Sequence, residues 1–144
     1  MDDVLVHLVE DGAYLRALGN LCRALKSGGY LICSDVFSHG ADRQFENYWK
    51  GRSLASVTAA MDSCGLEVVA RAPLSVLLSA PTDTRYRVLT EPLWNLVMAA
   101  VRGREWVGFG LGAILYPLEL LLVSTLKESP GIEIMVCRKR GSPP

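Results

Sequence analysis

Apolar residues recur along this chain with two spacings, which divide it into a series of strands and helices. Residues 3–9 (DVLVHLV) are a short apolar stretch broken by His7, the pattern of a strand end running into a loop. Asp11 stands where an N-cap belongs, and Tyr14, Leu18, Leu21, Cys22 and Leu25 follow on one face of a helix. Lys26 lies in its last turn and Gly28-Gly29 stop it. Residues 30–34 (YLICS), bounded by the glycines and Asp35, predict a buried strand. Residues 37–52 are polar and patternless around Phe45, Tyr48 and Trp49, which predicts a loop or an irregular helix. Ser53 caps the next helix, whose inner face is Leu54, Val57, Met61 and Cys64 and whose end is Gly65. A partly alternating strand follows over 66–72, then Pro73 and an apolar continuation over 74–78. Thr90-Glu91-Pro92 open another helix, since proline in a first turn loses no needed hydrogen bond. Its inner face is Leu93, Leu96, Val97 and Ala100. An apolar helix around 111–126, a turn at Ser129-Pro130-Gly131, a strand over 132–137 and a solvated tail complete the series. The alternation in the first half predicts α/β layering with parallel strands.

Composition narrows the class. The 144 residues are one domain's length, and half of them are hydrophobic, which excludes an intrinsically disordered chain. Fifteen basic residues balance fifteen acidic ones, so nothing favours a phosphate backbone or anionic lipid as the main partner, and no nucleic-acid partner is expected. The triplet Arg138-Lys139-Arg140 reads as a soluble chain end. The four cysteines have neither CxxC pairing nor metal-ligand spacing, so they read as reduced, buried side chains, and no metal is expected. The acidic start lacks the basic and apolar regions of a secretory signal, which with the reduced cysteines predicts a cytoplasmic protein.

The segment 107–126 (VGFGLGAILYPLELLLVSTL) has the length of a bilayer span. Glu119 and Pro117 near its middle weigh against one, because a carboxylate at bilayer depth costs about 2–3 kcal/mol. The expectation is a buried soluble helix, with membrane association as the lesser alternative. Glu119 in such a helix must pair or face a cavity.

The stretch Asp3-Val-Leu-Val-His7, Glu10-Asp11, then LRALGNLCRALKSGGYLICSD resembles the middle of class I S-adenosylmethionine-dependent methyltransferases. There an apolar fourth strand carries a His near its tip, and a helix leads through an LKPGG turn into strand five. Here the turn is Leu25-Lys26-Ser27-Gly28-Gly29, with Ser for the usual Pro. Arg52-Ser53-Leu54, the GLEVV at 65–69, the LYPLE at 115–119 and the SPGIEIMVC at 129–137 are similar to later parts of one bacterial subgroup. The resemblance implies a partial Rossmann-like sheet: the end of strand four, then strands five, seven and six, with strand seven antiparallel between the other two. It also implies one partial domain over 1–144 with a helical insertion or lid over 84–128. The glycine-rich cofactor loop and the strand-two acid of that family have no counterpart here, since Gly108, Gly110 and Gly112 do not follow a strand. The expectation is therefore a truncated C-terminal half, inactive alone, with S-adenosylmethionine as the cofactor of the complete domain.

By the same resemblance His7 borders the methyl-transfer space as cofactor neighbour or base, and Asp3 lies near the cofactor. Asp35, at the carboxyl edge of strand five, faces the substrate side. Arg52 could meet an anionic acceptor, and Trp94 and Trp106, with Tyr116, could line its pocket in the insertion. The implied reaction is methyl transfer to a small-molecule or glycan-like acceptor. The alternative readings are a non-catalytic module that forms a homo- or heterodimer through an exposed strand-four edge, and a small protein anchored to a membrane by 107–126.

Overall fold

The computed structural model describes residues 4–45, 47–82 and 87–141. The chain divides into two compact units, residues 1–71 with 133–144 and residues 72–132.

In the first unit a 3-10 turn at Leu5–His7 leads into α1 (Asp11–Ala24) and β1 (Tyr30–Asp35). Two short antiparallel strands, β2 (Arg43–Phe45) and β3 (Trp49–Gly51), precede α2 (Leu54–Ser63) and β4 (Leu66–Ser75), and β5 (Ile132–Lys139) comes last. The main sheet has the order β1-β5-β4. β1 and β5 run antiparallel in unbroken register, from Tyr30 opposite Arg138 to Asp35 opposite Glu133.

Local chemistry sets the helix ends. The Ser53 hydroxyl accepts from the Ser56 amide and caps α2. Gly65 closes α2 at φ +76 and Gly28 turns the chain after α1 at φ +75, conformations that a side chain would disfavour. Tyr14, Leu18 and Cys22 of α1 and Val57, Ala60 and Met61 of α2 are buried. They share one core with Leu31, Cys33, Leu66, Met135 and Cys137. The register puts Leu31 opposite Cys137 and Cys33 opposite Met135, so one sheet face is apolar and covered. Its other face pairs Ile32 with Val136 and Ser34 with Ile134. There Tyr30 and Ile32 are more than half exposed, at 57% and 56%.

The second unit is a helical hairpin, α3 (Arg87–Val101) and α4 (Glu105–Thr125), preceded by an irregular stretch after β4. It contains the described part of the expected 84–128 insertion.

Four expectations are corrected. Residues 5–7 form a 3-10 turn and not the end of a strand, so no strand-four edge exists there among the described residues. The LVH run is too short, and Leu5 and Val6 both turn inward. The patternless stretch before α2 contains the β2–β3 ribbon, whose strands of three residues are too short to show a period. The third helix begins at Arg87, so Pro92 lies inside it. Finally, only 6% of the apolar window of α4 is buried, against the expectation of a buried helix. A unit of two helices has too little other surface to enclose it.

Candidate functional site

The polar side chains of the first unit converge where the 3-10 turn, the start of α1 and β3 meet. His7 is exposed, and its Nδ1 lies 2.9 Å from the Tyr48 carbonyl oxygen. A carbonyl only accepts, so Nδ1 carries the proton, and in the neutral form of the ring the lone pair lies on Nε2. The rings of His7 and Tyr48 stack with centroids 6.4 Å apart.

Arg52, which follows β3, is only 5% exposed. It donates to the Leu8 carbonyl at 2.7 Å and to Asp11 Oδ1 at 2.9 Å, and lies 3.8 Å above the Tyr14 ring centroid. Lys50 adds bonds of 2.7 and 2.9 Å to the two Asp11 oxygens. The bonds from Lys50 and then Arg52 hold the Asp11 carboxyl below its ordinary pKa, against a small opposing effect of burial. Burial pushes the Tyr14 phenol upward, with Arg52 pulling the other way, so Tyr14 stays neutral. Asp11 is thus not the N-cap of α1: the cap position is Glu10, without a side-chain cap bond, and Asp11 reaches across to Lys50 and Arg52.

At the carboxyl end of β1, Asp35 is half-buried and accepts from the Val36 amide at 2.6 Å. A void of about 10 Å³ adjoins it, lined in part by Leu5, Tyr14, Cys33, Ser34 and Phe37. Burial pushes the neighbouring Cys33 thiol up to about 12, so it is no thiolate nucleophile. A larger open groove of about 740 Å³ runs between α2 and β4, with His39, Thr58, Glu67 and the Asp62–Arg140 ion pair along its walls.

Of the residues singled out in the sequence, His7, Asp35 and Arg52 belong to the first unit, at the turn, the tip of β1 and the end of β3. Arg52 is engaged on three sides by Leu8, Asp11 and Tyr14, which makes it a clamp and not an open acceptor site. Trp94 on α3 is half-buried and Tyr116 on α4 is exposed, both in the second unit. Asp3 lies outside the described residues.

One polar pair escaped the sequence reading, and the partners that the sequence required for Glu119 are present. Glu133 of β5 is fully buried and accepts from Arg71 of β4 at 2.6 and 3.1 Å. Its signal was an acid at an inward position of an alternating strand. In the second unit Glu119 is 5% exposed and accepts from the Ser75 hydroxyl and the Val76 amide, both at 2.7 Å, and from the Leu77 amide at 2.6 Å. This meets the requirement that a buried carboxylate be paired. No family model and no curated protein matches this chain.

Proposed function

We propose that this chain carries the acceptor-side part of a class I S-adenosylmethionine-dependent methyltransferase fold. The observation that carries this reading is the place of β5, antiparallel to β1 and inserted between β1 and β4. The last strand of such a domain enters the sheet in that manner, whereas a plain βαβ unit would set β1 and β4 side by side. The half-covered sheet supports it too. A doubly wound sheet is covered by helices on both faces, and here Tyr30 and Ile32 on the second face are more than half exposed.

The residues present do not make a cofactor site by themselves. The void beside Asp35 holds about one water molecule at most, and among the described residues no glycine-rich loop follows a strand. No step of the reaction is therefore derived through the cofactor. What the chain offers is one wall at the carboxyl edge of the sheet, where open α/β folds bind ligands. In the neutral form of His7 the Nε2 lone pair is able to take a proton from a hydroxyl or amine acceptor.

Titration of the labelled chain with S-adenosylhomocysteine, followed by amide NMR shifts, tests this. Weak, unsaturated shifts confined to residues 4–11 and 34–38 are expected, reduced by His7→Ala. Absence of shifts there at millimolar ligand would overturn the family reading. Saturation at micromolar ligand would overturn the one-wall reading.

The open sheet face also favours a second reading, a non-catalytic module whose partner covers Tyr30 and Ile32. Ile32→Lys should then abolish a dimer seen by light scattering, and a wild-type monomer at all concentrations excludes a homodimer.

A further inference from the structure

We infer that the α3–α4 hairpin is a membrane-surface element, with α4 lying along the headgroup–acyl boundary of a phospholipid leaflet. This is independent of the methyltransferase reading and concerns only residues 72–132. α4 has 21 residues and is about 31 Å long. Trp106, Phe109 and Ile114 are 78%, 82% and 73% exposed, and Tyr116, Leu118 and Leu121 about half. At 100° per residue these six positions span roughly 200° of the helix circumference. A helix lodged in a protein groove shows a narrower stripe, and a face this broad is matched by a continuous apolar medium.

The charges are arranged to fit that medium. Between Glu105 and Lys127 the sole charged side chain is Glu119, and it is turned away from the exposed face onto Ser75, Val76 and Leu77. The desolvation cost that weighed against lipid contact in the sequence is thereby met inside the unit. At the hairpin turn Arg102 and Arg104 are both exposed beside Trp106, two cations complementary to phosphate headgroups next to an interfacial anchor. Tyr116 is a second ring with a polar tip on the same face. Lying in the surface fits better than crossing. α3 has 15 residues, about 22 Å, short of the hydrocarbon thickness that a crossing hairpin must span twice.

Flotation of the full chain with phosphatidylcholine vesicles, and with vesicles also containing phosphatidylserine, tests the inference. The chain should float with both and bind the anionic vesicles more tightly. Phe109→Asp with Ile114→Asp should lower the bound fraction at least tenfold without changing far-ultraviolet circular dichroism. Arg102→Glu with Arg104→Glu should remove the preference for anionic vesicles and leave binding to neutral ones. A chain with Trp49→Phe and Trp94→Phe reports on Trp106 without an added charge, and its emission should shift to the blue and be quenched by brominated acyl chains. Failure to float with either vesicle would overturn the inference, as would Trp106 emission that vesicles leave unchanged. Conversion of a lipid-free dimer to a monomer by the two aspartates, without vesicle binding, would assign the face to a second copy of the chain instead.

Discussion

At the scale of single residues, Arg52 and Asp11 decide how the turn before α1 is held. Arg52 satisfies the Leu8 carbonyl, pairs with Asp11 and stacks on Tyr14 while almost fully buried. Arg52→Ala removes all three contacts and should cost about 2–3 kcal/mol in urea unfolding. Arg52→Lys should recover less than half, because an ammonium cannot serve a carbonyl and a carboxylate through a planar fork while lying flat on a ring. Full recovery by lysine would mean that charge alone matters. Asp11 adds a pH signature. Its folded-state pKa is depressed by Lys50 and Arg52, so its contribution is present above about pH 4 and is lost as pH falls through the lower folded value. The carboxylate is 66% exposed, so the effect stays below about 1 kcal/mol. Asp11→Asn should flatten this part of the acid limb of a stability–pH curve. Neither role was legible in the sequence. Asp11 sits where an N-cap belongs, and the partners that draw it elsewhere lie 39 and 41 residues away.

At the scale of elements, period and punctuation were legible wherever one face is buried against a large core. The inner faces of α1 and α2, the glycine stops at 28 and 65, and the strands at both ends of the unit follow directly from the pattern. The pattern failed for elements held by tertiary contact alone, such as the three-residue strands β2 and β3. It also could not show which residue pairs with the acid of β5. Glu133 is fully buried opposite Asp35 and is paired with Arg71 from β4, so the pair joins two strands of the sheet at its end. Arg71→Ala strands a carboxylate inside the sheet and should cost about 3 kcal/mol. Replacing both partners with apolar residues, Arg71→Met with Glu133→Leu, should restore most of it, because desolvation of both charges is then avoided. Denaturant midpoints of the two variants check this. Equal losses would show that the pair contributes net stability beyond its own desolvation.

At the scale of the whole molecule, burial is divided unequally between the two units. The fully buried apolar side chains Leu18, Met61, Leu66, Met135 and Cys137 all belong to the first unit, which recruits its last strand from the far end of the chain. The second unit joins β4 to β5, and these two strands are neighbours in the sheet. Neighbouring antiparallel strands need only a tight two-residue turn to connect them. Replacing residues 73–131 by Asn-Gly should therefore leave a smaller protein with the same core. It should unfold cooperatively and keep dispersed amide resonances for α1, α2 and the sheet. It should also lose all vesicle binding, because the exposed apolar helix surface goes with the deleted segment. A shortened chain that collapses without dispersed resonances would show that the hairpin contributes to the core across the division. A shortened chain that folds and still floats would place the lipid-binding surface in the first unit, where Tyr30 and Ile32 are exposed.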